Sequence, residues 1–135
     1  MKDIKGIKCY SPIEEKINIY SHAIGFILSL VALVLLMTHA SLHGNIWHII
    51  SFSIFGASLV LLYVASTCYH HAQKPEFRSR LRIIDHASIY ILIAGTYTPF
   101  TLVTLKGRIG WVIFGITWGL GLSGLILNLF FTGRY

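Results

Sequence analysis

The feature that most constrains this chain is the length of its apolar runs. Four stretches dominate it, from about His22 to Thr38, Ile46 to Tyr69, Ile83 to Leu105 and Ile109 to Phe131, with short polar links between them. A bilayer core about 30 Å thick is crossed by roughly 20 residues of helix. A barrel strand needs only about 10, with apolar and polar positions alternating, and no such alternation runs through these stretches. Backbone N–H and C=O groups in lipid must be paired within the protein, so long unbroken apolar runs read as helices. The expected fold is all-α, a polytopic transmembrane helix bundle with four spans. Composition agrees, because a soluble domain of 135 residues could not hide a sequence that is 55% hydrophobic and only 12% charged. Residues 1–21 read as a cytoplasmic N-terminal segment and residues 22–135 as the transmembrane bundle. The first run is too long for a signal-peptide core, and no small-residue cleavage site precedes the link from His39 to Gly44, so it reads as a retained helix.

Lysine and arginine flanking membrane spans stay on the cytoplasmic side. Lys2, Lys5, Lys8 and Lys16 precede span one, Lys74, Arg78, Arg80 and Arg82 lie between spans two and three, and Arg134 follows span four. The link from His39 to Asn45 has no lysine or arginine, and the link between spans three and four has only Lys106 and Arg108. Both termini are therefore expected in the cytoplasm, in a multi-pass protein of the cell (inner) membrane. The net charge of +6 follows from basic residues set against anionic lipid headgroups. Membrane lipids are the expected partners, and nucleic acid is not. Cys9 and Cys68 both fall on the reducing side, which argues against a disulfide. Cys68 is three residues from His71 and could share a metal with it, but packing is the preferred reading for a lone membrane cysteine.

Ionisable groups within or at the rim of spans are costly and are usually paired or functional. Here they gather on one side. Glu15, Asn18 and His22 enter span one, Ser66 and His70 end span two, and Asp85 and His86 open span three. Glu15, Asn18 and His22 follow an i, i+3, i+7 spacing that lines one face of a helix beginning before the membrane. Ser66 and His70 are one turn apart, so a hydroxyl and an imidazole can serve the same small volume. Asp85 adds a carboxylate of the kind that accepts a proton from, and orients, a water activated by zinc. The plainer alternative is that these groups only bond to backbone, with Asp85 paired to Arg82 or Lys16. His39, His43 and His48 fit that plainer reading on the opposite side and are left out of the site. His71 and His86 point about 100° away from the better candidates beside them.

These residues carry a resemblance. Glu15-Lys-Ile-Asn18-Ile-Tyr-Ser-His22, Ser66-Thr-Cys-Tyr-His70 and the run from Arg82 through Asp85-His86 to Gly95-Thr-Tyr-Thr-Pro99-Phe resemble, in order, the motifs of the hemolysin III family. That family is the bacterial branch of the progestin and adipoQ receptor superfamily, and the similarity runs from residue 10 to residue 131. It implies a seven-helix bundle with a cytoplasmic N-terminus, of which four spans lie here. The chain is therefore expected to be truncated before the last three spans, with those helices or another membrane chain as partner. It also implies zinc, with His70 as a metal ligand, Ser66 and Asp85 supporting a bound water in a catalytic role, and Glu15, Asn18 and His22 as accessory candidates. The family's two further ligands come from a His-x-x-x-His in its last helix, so the ligand set here is incomplete and the chain alone is expected to be inactive. Three functions follow from the resemblance. One is membrane homeostasis through a zinc-dependent lipid-amide hydrolase, another a non-enzymatic zinc-stabilised sensor, and the third a cytolytic pore.

In span four, Gly115, Gly119 and Ser123 form a small-residue stripe suited to close helix packing, against spans one to three or against a missing helix. Pro99 removes a backbone donor from span three and is expected to kink it, with Thr96 and Thr98 placed to bond freed carbonyls.

Overall fold

The computed structural model describes residues 10–132. The expectations for Lys2, Lys5, Lys8, Cys9 and Arg134 fall outside these residues. Four α-helices follow one another, α1 Pro12–His43, α2 Ile46–His71, α3 Pro75–Pro99 and α4 Gly107–Thr132, with a π-helical segment at Phe100–Leu105 before α4. There is no strand among the described residues. All four helices are long and apolar enough to cross a membrane, the third counted with its π segment.

Local chemistry explains where each helix begins. Ser11 Oγ accepts from the Glu14 N–H at 3.2 Å, and the Glu14 carboxylate accepts from the Ser11 N–H at 2.8 Å, a reciprocal cap followed by Pro12 in the first helical position. Helix α1 therefore starts ten residues before the apolar run and reaches about 48 Å, well beyond the hydrocarbon core. That overrun carries Glu15, Asn18 and His22 on one continuous helix. Asn45 caps α2, its Oδ1 accepting from the N–H groups of Trp47 and His48 at 3.0 and 3.3 Å. Pro75 opens α3.

Pro99 changes the third helix differently from a simple kink. The α-helix ends there and the chain continues with π geometry to Leu105, which accommodates the missing proline N–H by widening the turn. Thr96 and Thr98 bond to the carbonyls of Leu92 and Ala94 at 2.7 and 2.9 Å, not to that of Gly95, the one that loses its α-helical donor at Pro99. The segment ends at Lys106 and Gly107, both at positive φ, 50° and 58°. Glycine takes that conformation without strain, and it is what lets α4 turn back along α3.

Each helix packs on its sequence neighbour, and α1 and α4 share no contact among the described residues. The four form an open row. Most of its buried positions are small or hydroxyl-bearing, among them Ala40, Ala65, Ala87 and Ala94, with Ser29, Ser51, Ser58, Ser88, Thr98 and Thr101. Large aliphatic side chains such as Ile24, Val34, Leu120 and Ile126 are exposed instead, the arrangement expected where the surrounding solvent is lipid. The buried hydroxyls donate to carbonyls of their own helices, as Ser29 does to Phe26 O at 2.7 Å and Ser58 to Phe55 O at 2.7 Å. Among the side-chain bonds that cross between helices are Trp118 Nε1 to Thr98 Oγ1 at 3.0 Å and Ser53 Oγ to Met37 Sδ at 3.1 Å.

Helix α4 has two glycine faces. A Cβ on Gly121 would lie 3.1 Å from Ala94 Cβ and 3.2 Å from the Tyr90 carbonyl oxygen, while one on Gly115 or Gly119 would meet nothing within 4 Å. The stripe Gly115, Gly119 and Ser123 therefore looks away from the other three helices, and internal packing falls to Gly121 and Gly124. Gly121→Leu should destabilise the purified chain by about 1–3 kcal/mol through overpacking, whereas Gly119→Leu should leave it nearly unchanged. Thermal unfolding in detergent compares them, and equal losses would contradict the packing described.

Candidate functional site

The polar residues of three helices meet at the end of the row that holds the α2–α3 link. On the first turns of α1, Glu15, Asn18 and His22 are half-buried while Lys16, Ile17, Tyr20 and Ser21 between them are exposed, so the helical spacing does set one polar face inward. The last turns of α2 bring buried Ser66 and Tyr69 and half-buried His70. Helix α3 contributes Arg78 from its first turn and Asp85 from its third.

Glu15 ties these elements together. Its Oε2 lies 2.9 Å from His70 Nδ1, and its Oε1 accepts from Arg78 Nη2. Arg78 also donates from Nη1 to the Ala72 carbonyl at 3.3 Å and lays its guanidinium over the Tyr69 ring, 4.9 Å from the centroid. The side chains of His70, Arg78 and Glu15 keep only 8%, 14% and 19% of their surface exposed, so the charges compensate one another away from bulk water. The His22 ring lies nearly parallel to His70, 5.7 Å between centroids and 4° between planes. Tyr10 and Tyr69 flank His70 at 5.6 and 4.8 Å. Asp85 is near enough for its charge to act on His22. A cavity of about 690 Å³ opens beside this network, lined in part by Glu15, Lys16, His70, His71, Gln73 and Arg78.

The bond from Nδ1 to Glu15 has a chemical consequence. In the neutral ring it places the proton on Nδ1 and leaves Nε2, on the opposite edge, as a lone-pair donor. A carboxylate behind an imidazole is also how metal-binding histidines are commonly oriented and made more basic. These residues therefore fit one ligand position of a metal site. They do not complete one, since among the described residues no three His, Cys, Asp or Glu side chains are placed to hold one metal ion, and zinc takes three or four protein ligands.

Of the residues singled out from sequence, Glu15, His22 and His70 come into direct proximity, and Asp85 is half-buried on α3. Ser66 is buried one turn before His70, and its hydroxyl bonds to no other described residue. Asn18 is half-buried, its backbone carbonyl accepting from Ser21 Oγ at 3.1 Å. His71 and His86 are exposed, as their angular offset implied. Asp85 forms no ion pair among the described residues, and the carboxylate that pairs with arginine is Glu15. Cys68 is exposed, not packed within the row. Arg78 was not singled out, having counted only towards orientation. It is 63 residues from Glu15 and nothing in local spacing links the two.

Breaking a largely buried pair leaves an uncompensated charge, at a cost on the order of 3 kcal/mol. Arg78→Met should therefore destabilise the chain strongly, while adding Glu15→Gln to it should recover much of the loss. Additive effects in that double-mutant cycle, read by thermal unfolding, would mean the two groups are not coupled.

Comparison with known proteins agrees with the architecture. The haemolysin-III related family model matches residues 10–134. Hemolysin-3 of Bacillus cereus is 45% identical over 122 residues, which is 90% of this chain and 56% of that protein. A Hemolysin-3 homolog of Bacillus subtilis (strain 168) is 47% identical over 122 residues, 90% of this chain and 57% of that protein. The chain thus spans little more than half the length of these curated relatives. No solved structure matches it. With four apolar helices in a row and a family match over nearly its whole length, the chain is a multi-pass membrane protein belonging to the hemolysin III family.

Proposed function

We propose that the chain lies in the cell membrane with its N-terminus and α2–α3 link in the cytoplasm. In this proposal it serves membrane-lipid homeostasis by contributing part of a zinc-dependent lipid-amide hydrolase site. The observation that carries the reading is the 2.9 Å contact between Glu15 and His70 Nδ1, which presents Nε2 as a ligand. The orientation is supported by Lys16, Lys74, Arg78, Arg80 and Arg82 at the site end against Lys106 and Arg108 at the other.

In this reading His70 holds the metal, Glu15 keeps the imidazole in its ligating tautomer, and Arg78 fixes Glu15. Ser66 orients the attacking water and Asp85 accepts its proton, general-base chemistry suited to a carboxylate at neutral pH. Zinc, when bound, would polarise the amide carbonyl and lower the pKa of the water. The remaining ligands are assigned to sequence that the longer relatives have beyond the matched stretch, or to a second chain.

Two measurements test this. With Cys9 and Cys68 replaced by serine, a membrane-impermeant thiol reagent added outside intact cells should label Ser41→Cys and spare Gln73→Cys, and the reverse pattern would invert the orientation. In a full-length family member, His70→Ala at the matching position should remove zinc and abolish lipid-amide hydrolysis. Hydrolysis unaffected by that change or by chelation would sink the enzymatic reading. Loss of thermal stability on chelation with unaltered lipids would favour a zinc-stabilised sensor. The relatives are named for haemolysis, and dye release from liposomes insensitive to His70→Ala would favour a pore.

A further inference from the structure

The sequence contains one His-x-x-x-His, and it lies at the opposite end of the row from Glu15 and His70. His39 and His43 lie in the last two turns of α1, both exposed, with ring centroids 5.3 Å apart and planes tilted by 50°. Two imidazoles one helical turn apart on the same face can direct a nitrogen each at a common ion, the geometry by which a helix chelates a first-row transition metal. We propose that His39 and His43 form a binding site for a transition-metal dication of the zinc, nickel or copper class, completed by water.

Three further observations favour a cation here. The site sits at the C-terminal end of a 32-residue helix, where the backbone presents partial negative charge. The link from His39 to Asn45 carries no lysine or arginine to repel a dication, and no carboxylate either. A donor set of imidazole and water selects transition metals over magnesium or calcium, which prefer oxygen ligands. Among the described residues no third His, Cys, Asp or Glu side chain joins the pair, and His48 Nδ1 accepts from the Asn45 N–H at the α2 cap. The site is also separate from the one around His70. Glu15 and His43 are 28 positions apart on one continuous helix, a rise of about 42 Å. On the orientation proposed above it faces outward. Binding there would clamp the last two turns of α1 beside the short link to α2.

Zinc chloride titrated into the purified full chain in detergent, with bound metal counted by equilibrium dialysis, tests this. Replacing both His39 and His43 by alanine should remove one equivalent of bound zinc, and either single replacement should weaken that equivalent roughly tenfold or more. Leu42 is exposed, so adding Leu42→His to the His43→Ala chain creates an i, i+3 pair and should restore binding. Circular dichroism checks that each variant keeps its helices. Unchanged stoichiometry and affinity in the double-alanine chain, no rescue by Leu42→His, or equal competition by magnesium would each overturn the site. None of these outcomes depends on His70, so failure here leaves the proposed hydrolase reading standing and the converse also holds.

Discussion

Helices in a bilayer gain little by hiding apolar side chains from a solvent that is itself apolar, so they must be held together by close backbone approach. Everything else in this row follows from that constraint. Gly95 on α3 has the Ser58 side chain where its own Cβ would be, and Gly121 on α4 has Ala94 and the Tyr90 carbonyl against it. Alanines and serines fill the remaining interface positions, and the hydroxyls of Ser29, Ser51, Ser58 and Ser88 are satisfied within their own helices. The bulky aliphatic residues are left for the lipid, which makes the outside of the protein more apolar than its inside.

Against that background the Glu15 network is exceptional. It is where three helices are joined by charge and not by contact of small residues, and its members come from positions 15, 70 and 78. The carboxylate is bonded by both an arginine and a histidine away from bulk water. The same carboxylate fixes which edge of His70 is free. Stability and ligand presentation therefore rest on one side chain.

Much of this was legible in the sequence, for identifiable reasons. Run length revealed the four helices, and helical spacing placed Glu15, Asn18 and His22 on one face. The early start of α1 rests on Ser11-Pro12 with Glu14, a cap signature that lies outside the apolar run and was not used to set its boundary. The π segment after Pro99 was not legible because proline removes a hydrogen bond without dictating how the chain accommodates the loss. The pairing of Arg78 with Glu15 was hidden by a separation of 63 residues, and the Asp85 pairing considered from sequence was a nearer but different solution. Nor could periodicity say which glycine face of α4 meets α3, since Gly115, Gly119, Gly121 and Gly124 are equally small and only the rotation of the helix separates them.

An open row in which each helix packs mainly on the next has a consequence for how the protein is made. Every interface is available as soon as the second helix of a pair has entered the membrane, so assembly can follow synthesis with little waiting. Glu15 is the exception, because its arginine arrives only when the third helix does. Until then the first two helices hold a carboxylate whose only described partner is an imidazole. The polar site is thus a late event in the life of the chain, and completing it records that the third span has been inserted.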